Sequence, residues 1–118
     1  MEKTEKERAF DKILRSKKAK KIKEDMIDQL ERSGFDTEFN RDLLDDYMDM
    51  YVTKQLLVED IRKRGVRVEY DNGGGQKGIK KNDSVEQRLK VNAQMLKLLN
   101  ELHLTPSEMD GGDPDEEL

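Results

Sequence analysis

The stretch from about Glu38 to Arg64 constrains the fold more than any other part of the chain. Phe39, Leu43, Leu44, Tyr47, Met48, Met50, Tyr51, Leu57, Val58 and Ile61 recur there at helical spacing, which predicts one long helix with a broad apolar face. At ~1.5 Å per residue it runs for about 40 Å, more than the width of a small globule. Asp36 or Thr37 can cap its start, and Glu38 to Asp42 place negative charge near its N-terminus. Arg62-Lys63-Arg64 suits its negative end, and Gly65 stops it.

Little else in the chain can bury such a helix. The 118 residues make one domain with a short tail; 33% are hydrophobic, 42% are charged, and Trp is absent. The net charge of −4 is small enough that the two signs largely cancel. An elongated helical protein that completes its burial by self-association fits this balance.

The flanking segments repeat the helical theme. Phe10, Ile13 and Leu14, then Ile22, Met26, Ile27 and Leu30, keep helical spacing. The stripe is interrupted at Lys17, Lys18 and Lys21, where the helix turns a basic face outward or breaks, and Ser33-Gly34 supplies a stop. Val66-Arg67-Val68-Glu69-Tyr70 alternates as a half-exposed strand does, Asp71 to Gly75 makes a turn, and Gly78 to Lys81 returns as a second strand. Asn82, Asp83 or Ser84 caps the last helix, with Ser84 and Gln87 reading as a capping box. Val85, Leu89, Asn92, Ala93, Leu96, Leu99 and Leu102 mark its expected buried side, and Pro106 halts it. The predicted fold is mainly α, with long helices and a short β-hairpin between the second and last helix. Residues 1–35 form a basic helical segment, 36–106 a helix–hairpin–helix core for oligomerisation, and 107–118 an acidic tail expected to be disordered.

Several functional classes drop out. No apolar run approaches 18 residues, so no membrane span is expected. The opening Met1-Glu2-Lys3-Thr4-Glu5-Lys6 lacks the apolar stretch of a signal peptide, and a cytoplasmic location is expected. Without Cys there is neither a disulfide nor a cysteine zinc site, and His103 is the single histidine. No catalytic residue, metal site or cofactor is expected.

Charge is blocked along the chain. Lys12, Arg15, Lys17, Lys18, Lys20, Lys21 and Lys23 follow one another without an intervening acid, and such a run raises a local positive potential whatever the net charge. As a plain solvated face it does nothing; as a functional one it makes sequence-tolerant phosphate contacts on double-stranded DNA. Arg62, Lys63, Arg64, Arg67, Lys80 and Lys81 form a second, more diffuse group. Asp42 with Asp46, and Asp45 with Asp49, are carboxylate pairs four residues apart; a solvated acidic face, or one meeting a basic neighbour, explains them better than a metal. The glycines at 73–75 are not a phosphate loop, because Gly78 stands after Lys77 where a Walker A motif needs Ser or Thr. His103 suits a helix-capping or surface role.

From Leu43 onward the order of elements resembles the small terminase subunit of tailed double-stranded-DNA phages. The residues that carry the likeness are Asp46-Tyr47 through Ile61, Gly65, Asn72-Gly73-Gly74, Val85 through Leu102, and the closing Leu102-His103-Leu104-Thr105-Pro106-Ser107. Two positions depart from the family pattern: His103 stands where Gly is usual, and Asn82-Asp83 where Asn-Pro is common. The resemblance implies a ring-forming, non-enzymatic DNA-packaging protein of the host-cell cytoplasm. It would deliver viral DNA to the large terminase subunit, which carries the ATPase and nuclease. Tyr47, Met50, Tyr51, Leu57, Leu89, Leu96 and Leu99 are the expected oligomerisation residues of a cyclic homo-oligomer. Two alternatives stand beside it: a small helical DNA-binding transcriptional regulator or nucleoid-associated protein, and a structural adaptor that makes no DNA contact.

Overall fold

The structure is a computed structural model and describes residues 2–105. Four helices and one hairpin follow in the order α1 (Glu5–Leu14), α2 (Lys17–Ser33), α3 (Glu38–Arg64), β1 (Arg67–Asp71), β2 (Lys77–Lys81) and α4 (Asp83–Glu101). The mainly helical architecture with a hairpin ahead of the last helix agrees with the sequence-based expectation. Pro106 and the acidic tail lie outside the described residues.

The basic N-terminal stretch breaks into two helices at Arg15-Ser16. Ser16 Oγ accepts from Ala19 N at 3.2 Å and donates to Ile13 O at 2.7 Å, so one hydroxyl closes α1 and caps α2. A serine that offers the backbone such local alternatives ends a helix as readily as it starts one. Gly34, at φ 81°, takes the left-handed cap that terminates α2. Thr37 caps α3 by accepting from Asn40 N at 3.1 Å.

The hairpin pairs Arg67 with Lys81 through Asp71 with Lys77 in antiparallel register. Tyr70 sits opposite Gly78, and a Cβ on that glycine would lie 2.5 Å from the tyrosine oxygen. The ring thus covers the strand where no side chain stands.

Asn82, rather than Ser84, caps α4: its side chain accepts from Ser84 N at 3.0 Å. At the other end His103 adopts φ 57°, Leu104 N donates to Leu99 O at 2.9 Å, and the chain reverses. This is the left-handed helix stop that Gly usually supplies. The imidazole stacks on Phe35, with ring centroids 4.8 Å apart, which offsets part of the backbone cost. The reversal drives Leu102 and Leu104 into the core on either side of His103.

The core is a single cluster. Ala19, Met26 and Leu30 of α2, Leu44, Met48, Tyr51 and Val52 of α3, Met95 of α4, and Leu102 and Leu104 are all buried. Phe10, Ile13 and Leu14 of α1 pack against its edge. Two expectations are corrected. Tyr51 is only 8% exposed and belongs to this core, because the α1–α2 arm covers the α3 face that carries it with Met48 and Val52. On α4, Leu89, Ala93 and Leu96 face outward, while Met95 and Leu102 face α3. That helix has two apolar seams, and the seam through Met95 won the intramolecular contact.

Candidate nucleic-acid interface

The base of the hairpin is held by one polar network. Asp60 accepts from Arg64 Nε at 2.7 Å, Arg64 Nη2 at 2.9 Å, Ser84 Oγ at 2.7 Å and Asn82 Nδ2 at 3.2 Å. Asn82 is 1% exposed, donates also to Gly65 O at 2.9 Å, and accepts from Arg64 Nη2 at 3.1 Å. The Arg64 guanidinium, and then the Ser84 hydroxyl, hold the Asp60 carboxyl well below the usual carboxylate range. The i, i+4 spacing of Asp60 and Arg64 is visible in the sequence. Their link to Asn82, across the whole hairpin, is not.

The seven cations expected to meet DNA do not share one face. Lys17, Lys20 and Lys21 lie on the exposed side of α2, opposite the buried Ala19, Met26 and Leu30, and Lys21 pairs with Asp25 at 3.2 Å. Lys23 points to the other flank, 3.4 Å from Asp45 of α3. Lys12 of α1 and Lys18 of α2 edge an open groove of about 530 Å³ against α3, and Arg15 lies exposed at the corner between the two helices. Apart from Lys21 and Lys23, none of the seven has an ion-pair partner among the described residues. No acid occupies the first turn of α2, so the positive end of that helix adds to the cationic potential.

The second basic group separates as well. Lys63 pairs with Glu59 at 3.2 Å and Arg64 belongs to the Asp60–Asn82 network, whereas Arg62 lines the groove with Lys12 and Lys18.

Of the residues expected at a subunit interface, Leu89 is 66% and Leu96 58% exposed on one side of α4, and Tyr47, Met50, Leu57 and Leu99 are half-buried. Phe39, at 72% exposed, and Val66 and Ile79 add apolar surface that the α4 pattern did not indicate. Asp42, Asp45, Asp46 and Asp49 all lie exposed on α3. Among the described residues no three His, Cys, Asp or Glu side chains gather as a metal site, and no helix is long and apolar enough to cross a membrane.

Comparison with known proteins bears directly on this arrangement. No curated protein and no solved structure matches the chain. The family described as phage terminase, small subunit, matches residues 19–111. That span takes in α2 from Ala19, the long α3, the hairpin and α4, and carries the likeness well ahead of Leu43, although α1 and Lys17-Lys18 at the start of α2 precede it. With most of its length matched, the chain belongs to the phage terminase small subunit family.

Proposed function

We propose that this protein is the ring-forming, non-enzymatic component of a phage packaging motor. It binds duplex DNA through Lys12, Arg15, Lys17, Lys18, Lys20, Lys21 and Lys23 and hands that DNA to the large terminase subunit in the host cytoplasm. The family match over residues 19–111 carries this reading. The exposed cations of the α1–α2 segment support the DNA contact, since phosphate binding needs clustered positive charge and no base-reading side chain. Leu89 and Leu96, with the half-buried Tyr47, Met50, Leu57 and Leu99, provide apolar surface for neighbouring subunits. The acidic face of α3 makes that helix a poor candidate for entering a DNA groove.

The test is a salt titration of duplex DNA binding. Affinity should fall with a log–log slope of about −0.9 per phosphate neutralised. Replacing Lys17, Lys18, Lys20 and Lys21 together with Gln should flatten that slope and leave helix content and particle size unchanged. Wild-type affinity and slope in that variant would show the segment to be only a solvated face.

A further inference from the structure

We infer that the groove between the α1–α2 corner and the C-terminal half of α3 is a composite phosphate-binding cleft, with Arg62 as its third cation beside Lys12 and Lys18. The inference rests on the DNA-binding reading above and adds to it a residue from a distant part of the chain.

In the sequence, Arg62 belongs with Lys63 and Arg64 as the basic close of a helix. The structure gives the three different employment. Arg64 makes a two-pronged contact with Asp60 at 2.7 and 2.9 Å, and Lys63 stands 3.2 Å from Glu59. Arg62 has no ion-pair partner among the described residues and turns toward the cleft. Tyr51, Gln55, Val58, Glu59 and Arg62 succeed one another at helical spacing, so one side of α3 forms this wall. The opposite wall is Lys12 and Ile13 on α1, with Lys18 just past the Ser16 cap.

Three cations therefore reach one cleft from three separate helices. Glu59 is the one acid in its lining, and Lys63 already neutralises it. Lys12, Lys18 and Arg62 repel each other across the cleft, and an anion between them relieves that repulsion. Ile13 and Leu56 supply an apolar floor that keeps α1 and α3 at a set spacing. A planar guanidinium facing two flexible ammonium groups suits a phosphodiester, since Arg can grip two oxygens at once. The expected occupant is a stretch of duplex-DNA backbone. The cations edge an open groove rather than an enclosed pocket, so binding should not depend on base sequence.

The experiment uses the full chain and a 30-base-pair duplex of arbitrary sequence, with fluorescence anisotropy read across a salt series. Arg62→Gln should reduce the log–log slope by about 0.9, the loss of one phosphate contact. Arg62→Lys, which keeps the charge, should retain the wild-type slope. Lys63→Gln should lower affinity, because it leaves Glu59 unpaired in the cleft lining, where its charge repels phosphate. Circular dichroism and native mass spectrometry should show unchanged helix content and particle size in all three variants. If Arg62→Gln keeps wild-type affinity and slope while the four-lysine variant loses them, the cleft is not a phosphate site but the DNA reading stands. If both keep wild-type binding, the DNA reading itself falls. A change of particle size in Arg62→Gln would also overturn the inference and assign Arg62 to subunit contact.

Discussion

Asp60 shows how much one side chain can organise. It receives hydrogen bonds from Arg64, Ser84 and Asn82, so the end of α3, the cap of α4 and its first turn meet on one carboxylate. A depressed pKa makes this contribution pH-dependent. Stability from the ionised Asp60 is fully present above its unfolded value near 3.9 and is lost as pH falls through the lower folded value. The melting temperature should therefore drop below about pH 4, and Asp60→Asn should melt lower than wild type at pH 7 but lose part of that acid sensitivity. Some will remain, because Lys3 and Arg41 hold Asp11 and Asp36 below the usual range in the same way. Thermal melts of both proteins at pH 7 and pH 3 check this; an equal drop in both would take Asp60 out of the account. His103 is the complementary case. A non-glycine residue held at φ 57° costs about 1–2 kcal/mol, and the stacked Phe35 ring is what the structure sets against it.

The hairpin is the least buried element, with most of its residues exposed, and its order depends on few contacts. Tyr70 folding over Gly78 is one of them. Gly78→Ala would put a methyl within 2.5 Å of the tyrosine oxygen and force the ring away. A penalty of about 1 kcal/mol is expected, which raises local opening about fivefold. Amide exchange across residues 67–81 should speed up by that factor while helical circular dichroism stays the same. Unchanged exchange would mean the ring moves aside at no cost. The break at Ser16 matters for a different reason. It sets α1 against α3 and so brings Lys12 to the groove edge.

At the scale of the whole molecule, the proposed assembly rests on apolar surface that one chain leaves uncovered among the described residues. Leu89 and Leu96 lie seven residues apart on the outer side of α4 and remain more than half exposed. Each is worth about 1.5–3 kcal/mol when fully buried. Replacing both with Asp should reduce the particle seen by native mass spectrometry to a smaller species. The fold of the single chain should be unaffected, since exposed positions typically change stability by within about 0.5 kcal/mol. A particle of wild-type size would remove this side of α4 from the subunit interface.

Local chemistry explains why so much of the architecture was legible in advance. The length of α3, its stop at Gly65, the glycine turn and the order of elements follow from helical periodicity, caps and φ preferences, which act within a few residues. The family pattern likewise lies in the order of those local signals. Which face of each helix turns inward was a different matter. Tyr51 and Leu96 carry equally good apolar credentials, yet one is in the core and the other exposed, because α1 and α2 cover α3 while none of the described residues covers the outer seam of α4. The same holds for charge. Seven cations without an intervening acid and a distant basic triplet read as two blocks. The pairs Lys63–Glu59 and Arg64–Asp60 follow from i, i+4 spacing within α3, but only the packing of α2 on α3 sent Lys23 to Asp45. Only the packing of α1 across α3 put Arg62 beside Lys12 and Lys18, since that neighbourhood depends on contacts some fifty residues apart and on no local preference of any of them.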